Sequence, residues 1–126
     1  VKLSNRVVVR FLTGATLEGE LLRFDPAAKR LKLQTASDVH DIDCSVLKAI
    51  FFLRPPDAEP LSESLLMPAG KKVRVRFADG EEIAGYTYGL RPLEDGFYLF
   101  PINRNDRNER IFVIKKNAIQ IRTEEK

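Results

Sequence analysis

Val7-Val8-Val9-Arg10-Phe11-Leu12-Thr13-Gly14 and Val73-Arg74-Val75-Arg76-Phe77-Ala78-Asp79-Gly80 carry one pattern twice: an alternating apolar stretch, then a short turn ending in glycine. The offset is 66, from Arg10 to Arg76, and at that offset Leu17 meets Ile83, Gly19 meets Gly85, Pro26 meets Pro92 and Leu33 meets Leu99. Further on the match resumes at an offset of 69, pairing Ile42 with Ile111, Cys44 with Val113, Ala49 with Ala118 and Ile50 with Ile119. Repeats decide architecture before any local reading does. The pattern predicts a duplicated module: residues 1–54, a connector over 55–70, and residues 71–126.

Each copy reads as five short strands with period-two alternation. The second copy settles the inward set, because Val73, Val75 and Phe77 alternate with Arg74 and Arg76, and burying two arginines is costly. Asp79-Gly80 is a hairpin signal, with glycine free to take positive φ. Gly19 and Gly85 fall inside the next strand, where a glycine marks a bulge or bend. Five strands in about 50 residues suit a small barrel, with no room for a crossover helix. The fold class expected is therefore all-β.

Composition narrows the rest. The chain of 126 residues is 44% hydrophobic and 31% charged, as in ordinary globular domains. Its 21 Lys and Arg against 18 Asp and Glu give +3, too small an excess to mark a nucleic-acid binder unless clustered. The single cysteine, Cys44, cannot form an internal disulfide, which favours a reducing compartment and makes the cytoplasm the expected location. No apolar run reaches the length of a membrane span. The start at Val1 without a methionine points to a segment of a longer protein, and no signal peptide is seen.

The run from Val7 to Gly14, followed by Leu17-Glu18-Gly19-Glu20-Leu21, Phe24-Asp25 and Leu31-Lys32-Leu33, resembles the first signature motif of the Sm and Sm-like proteins. That resemblance implies a strongly bent, five-stranded SH3-like barrel, here in tandem, and modules that join by their strand edges. Asp25 is followed by Pro26-Ala27-Ala28-Lys29-Arg30 without the family's base-binding asparagine, the second copy has Arg91 in place of the aspartate, and neither copy has the Arg-Gly pair of the second motif. The chain is also similar to an uncharacterised bacterial domain family with a Leu-Lys-Ala-(Ile/Val)-Phe-Phe signature, present as Leu47 to Phe52.

Three sets of residues are candidates for chemistry or contact. His40, the only histidine, lies with Asp38, Asp41, Asp43 and Cys44, but alternation separates His40 and Cys44 from Asp41 and Asp43, so no metal site is expected. Arg104, Arg107 and Arg110 recur at intervals of three and, with Arg74 and Arg76, are the candidate nucleic-acid contacts, with Tyr86, Tyr88 and Tyr98 as stacking platforms. The bland alternative for that loop is a solvated hairpin tip. Finally, Val8, Leu22, Phe51 and Leu53 give the first copy an apolar outer face, to be covered by the second copy, by the connector with its Leu61, Leu65, Leu66 and Met67 at helical spacing, or by a partner.

These readings leave three function classes. The first is a non-catalytic binding or assembly module within a larger bacterial protein or complex, touching a protein partner or another copy of itself through Tyr88, Tyr98 and Phe100, although Phe100 could equally be core. The alternative is binding of RNA or single-stranded DNA through the arginines. Catalysis ranks last, because no nucleophile with its base, paired acids or phosphate-cradling loop is present. No cofactor, metal or small-molecule substrate is expected, and no membrane.

Overall fold

The structure is a computed structural model that describes residues 5–25, 29–54, 71–87, 95–102 and 107–124. The connector over 55–70, Tyr88, Arg91 and Arg104 lie outside them. The chain is all-β. Ten strands run β1 (Arg6–Phe11), β2 (Thr16–Asp25), β3 (Arg30–Gln34), β4 (Val39–Asp43), β5 (Leu47–Leu53), β6 (Lys71–Phe77), β7 (Glu82–Thr87), β8 (Gly96–Pro101), β9 (Asn108–Ile114) and β10 (Ala118–Glu124). A three-residue 3-10 turn links β4 to β5 (Cys44–Val46) and another links β9 to β10 (Lys115–Asn117).

All ten strands belong to one antiparallel sheet in the order β10-β6-β7-β8-β9-β5-β1-β2-β3-β4. Within it the first five strands follow the order β5-β1-β2-β3-β4 and the last five β10-β6-β7-β8-β9, so the two halves share one topology. The sequence leaves the apolar outer side of the first copy to be covered by the second copy, the connector or a partner, and the resemblance implies modules that join by strand edges. In the structure the two halves are joined by backbone pairing of β5 with β9, in a register that sets Ala49 opposite Val113, Ile50 opposite Phe112 and Phe51 opposite Ile111.

Two apolar cores lie on opposite faces of this joint. The first gathers Val7, Val9, Leu31, Leu33, Ile42, Cys44, Leu47, Ile50 and Phe52, and is completed by Phe112 and Ile114 from β9. The second gathers Val73, Val75, Phe77, Phe97, Leu99, Ile111 and Val113, and is completed by Ala49 and Phe51 from β5. Each half thus lends two buried side chains to the other's core. This is why all seven residues of β5 are buried. A strand covered on both faces reads as a continuous apolar run, as Ala49 to Leu53 does.

Glycine sets the turns and the bends. Gly14 and Gly80 close the β1–β2 and β6–β7 turns at φ 95° and 92°, where a side chain would be strained. Inside β2 and β7, a Cβ on Gly19 would sit 2.3 Å from the Gln34 carbonyl oxygen, and one on Gly85 2.4 Å from that of Phe100. The absent side chain lets the neighbouring strand approach.

One expected position is corrected. Leu22 does not pack between the halves and is 51% exposed. A register shift between Leu21 and Arg23 breaks the alternation, so Leu21 faces Leu33 and Arg23 faces Lys32, with Leu22 at the irregularity. Val8 packs against the second core, Phe51 is part of it and Leu53 is buried.

Candidate functional site

The densest polar constellation among the described residues crosses the seam between the halves. Lys48 is the exception in the apolar β5 strand, only 5% exposed. Its ammonium donates to Asp79 Oδ2 and Glu81 Oε1, both at 2.8 Å, on the β6–β7 turn of the other half. It also lies 5.0 Å from the ring centre of Phe77. Arg10 donates to the second oxygen of Glu81 and stacks 4.5 Å over Phe51.

Each charge is tuned by the others. Burial by itself pushes the Lys48 ammonium down, but the hydrogen bonds and charges of Asp79 and Glu81 outweigh it and hold the group above its ordinary value. The hydrogen bond from Lys48 draws the Asp79 carboxyl below its usual range. For Glu81, burial pulls upward, and Lys48 with Arg10 more than offsets it, so that carboxyl is also lowered. Close by along the seam, Asn117 Nδ2 donates to the carbonyls of Ser45 at 2.9 Å and Leu47 at 2.7 Å. These groups form a clamp of charge-assisted and amide hydrogen bonds, and their polar capacity goes to holding the halves together.

The residues singled out from sequence are dispersed. His40 is half-buried on β4, and Cys44 is buried with its thiol pushed up to about 11, by burial first and then by Asp43. Among the described residues no three His, Cys, Asp or Glu side chains are grouped to hold a metal. Asp43 instead accepts from the Ser45 amide at 2.8 Å and is held below its ordinary value mainly by that bond, capping the 3-10 turn.

Arg107 and Arg110 engage different partners. Arg107 is exposed, with Glu18 at 3.8 Å. Arg110 pairs with Glu109 and folds back 3.9 Å over the Phe52 ring and 5.7 Å from that of Tyr98. Tyr98 meets Phe112 edge-on at 5.0 Å and Phe52 at 6.0 Å, so its ring partly covers the seam. The sequence reading missed Lys48, Asp79, Glu81, Arg10 and Asn117. A lone lysine inside Leu47-Lys48-Ala49-Ile50-Phe51-Phe52-Leu53 was the available signal, because an ammonium in a fully buried strand requires a partner.

A different set does share a surface. On the outer face of the second half, Arg122 on β10 stands directly opposite Arg74 on β6, Lys72 stands opposite Tyr86, and Tyr86 opposite Phe100. Arg76 completes the row on β6, with Gln120 on one side and Glu82 on the other.

Fold and seam together define an all-β protein of two topologically like halves clamped into one sheet. Residues 3–124 match a family of unknown function, DUF6982, and the chain belongs to it. No curated protein and no solved structure matches the chain. Among the described residues no helix is long and apolar enough to cross a membrane.

Proposed function

We propose that this chain is a non-catalytic binding module in which two tandem Sm-like units, products of an internal duplication, act as one rigid body that engages a protein partner. The observation that carries this reading is the seam. β5 and β9 are shared by both cores, and the buried ammonium of Lys48 is held by carboxylates of the other half. A rigid platform with two strand edges left unpaired among the described residues suits recognition by strand addition. Those edges are β4 and β10, with Val39 54% and Ile119 60% exposed.

The partner is a different protein rather than a second copy. In the internal joint Phe112, Ile114, Phe51 and Leu53 fill the space between strands and cores. At the offset of 69, the corresponding positions are Asp43 on β4, Ser45 in the turn after it, and Gln120 and Arg122 on β10. Edges carrying polar and charged residues in place of apolar plugs are guarded against self-pairing.

The test places a photo-crosslinking residue at Thr123 on β10 in cells of the source organism and, for comparison, at exposed Glu20. A discrete protein adduct specific to Thr123 and lost on Ile119→Glu is expected. Identical adducts from both positions, an adduct with another copy of the chain, or one removed by nuclease would overturn the reading.

A further inference from the structure

We infer that the edge of β4 takes an extended peptide whose residues alternate basic and apolar, with the bases facing Asp41 and Asp43 and the apolar residue between them facing Ile42. The inference rests on the strand-addition reading above and names what the β4 edge selects. Asp41 and Asp43 are exposed on the outer face, while Ile42 between them is buried in the first core. Among the described residues β4 pairs with β3 alone, so its other side is open. Charges on this half lie in rows that end at that edge: Asp25, Arg30 and Asp43 face one another across β2, β3 and β4, and so do Arg23, Lys32 and Asp41. Both edge acids already have partners. Arg30 donates to Asp41 at 3.2 Å, and Asp43 accepts from the Ser45 amide at 2.8 Å. The edge therefore does not call for neutralisation; it selects by sign, because charges facing each other across a strand pair stabilise it when unlike and destabilise it when like. A strand with Lys or Arg in both rows continues the ladder, and one with Asp or Glu there is repelled.

The internal joint supplies a register for the incoming strand. There β9 receives β5 antiparallel, with Ile111 facing Phe51, Phe112 facing Ile50 and Arg110 facing Phe52. At the offset of 69 the corresponding positions are Ile42, Asp43 and Asp41 on β4, and Gln120, Ile119 and Ile121 on β10. A second copy adding its β10 to this edge in that register would bring isoleucines to both acids and an amide to Ile42. It is one residue out of phase, and a slip of one residue turns every side chain to the other face. The segment that fits is therefore foreign. Val39, 54% exposed at the start of β4, extends the edge with an apolar contact, and the half-buried His40 shares the inner face with Ile42. Running antiparallel from Asp43 to Val39, the matching segment reads basic, apolar, basic, apolar, apolar.

The experiment is fluorescence anisotropy of a labelled nonapeptide with the core Lys-Val-Lys-Val-Val between Gly-Ser ends, titrated with the intact chain, and amide shift mapping of the complex. Two twins accompany it, one with Glu in place of both lysines and one N-methylated along the core so that it donates no backbone hydrogen bonds. The lysine peptide is expected to bind with shifts along β4, and the Glu twin to bind at least about fourfold more weakly at low salt, from two rows changed from attraction to repulsion. That preference narrows as salt screens the exposed charges. The N-methylated twin is expected not to bind. Asp41→Lys, at an exposed position, should reverse the preference in its own row. It should bind the peptide with Glu at the second lysine at least about twofold better than the parent peptide, a gain that misfolding cannot produce. Equal binding of the lysine and Glu peptides, with loss on N-methylation, would overturn the charge assignment and leave strand addition standing. Retained binding of the N-methylated twin would overturn strand addition itself. No binding of the lysine peptide, or shifts confined to β10, would overturn the assignment to β4 without touching the crosslink expected at Thr123.

Discussion

Removing the two carboxylates that hold Lys48 will destabilise the protein more than removing the lysine itself. The reason lies in who can return to water. The Lys48 side chain is 6% exposed, whereas those of Asp79 and Glu81 are 51% and 34% exposed. In Lys48→Met the stem still packs on Phe77, the carboxylates rehydrate, and Glu81 keeps Arg10. The loss is then two charge-assisted hydrogen bonds less the relieved cost of burying an ammonium, about 1–2 kcal/mol. In Asp79→Asn with Glu81→Gln the ammonium stays buried without a counter-charge, which costs about 3–5 kcal/mol. The triple variant leaves no buried charge stranded, only the half-exposed Arg10 without its carboxylate, and should return to within about 1 kcal/mol of Lys48→Met. Urea unfolding at pH 7 measures all three, provided the slope is unchanged. An opposite order between the single and the double variant, or no recovery in the triple, would refute the reasoning. The pH dependence has a definite sign. Asp79 and Glu81 have lowered pKa values, so their contribution is present above their ordinary 3.8 and 4.5 and is lost as pH falls through the folded values. Lys48 is raised, so its contribution is complete below its ordinary 10.5 and lost only as pH climbs through the folded value.

Three further outcomes follow from the packing. Phe112→Ala, which empties a first-core site from the second half, should cost about 3–5 kcal/mol and lower the urea midpoint of both halves together. Gly85→Ala forces a methyl to within 2.4 Å of the Phe100 carbonyl and 2.9 Å of Leu99, and should destabilise by more than about 2 kcal/mol, well above the roughly 1 kcal/mol expected of Gly80→Ala, which has open space and only an unfavourable φ. Cys44, buried and with its thiol pushed up to about 11, should resist a thiol-exchange reagent at pH 8 in the native protein and react fully once unfolded; prompt native-state labelling would contradict that burial.

Much of the strand content was legible because half-buried strands declare themselves by alternation. Val73, Val75 and Phe77 could face only one way once Arg74 and Arg76 faced the other, and they line the second core. Gly14 and Gly80 announced turns of positive φ. The seam was only partly legible. The run Ala49 to Leu53 carries no alternation, and apolarity on two faces states that both will be covered without stating by which strand. Pairing of β5 with β9 is a contact between distant segments, for which local periodicity has no signature. Leu22 was misplaced because a register shift reverses the alternation after Leu21, and no glycine or proline marks it. Lys48 and its carboxylates were hidden for a related reason: Asp79-Gly80 is so strong a turn signal that the aspartate's second use, across the seam, leaves no further trace in the sequence.

The central claim is that the two halves are one unit joined through β5 and β9. Native-state hydrogen exchange resolved by residue tests it most directly. If the account holds, the buried amides of Leu47–Leu53 and Asn108–Ile114 that bond across the joint exchange only through global unfolding, with the same free energy as the amides of Val9 and Val75 in the two cores. Exchange of the β5–β9 amides several kcal/mol more easily than those of the cores, with the halves unfolding in separate steps, would contradict it.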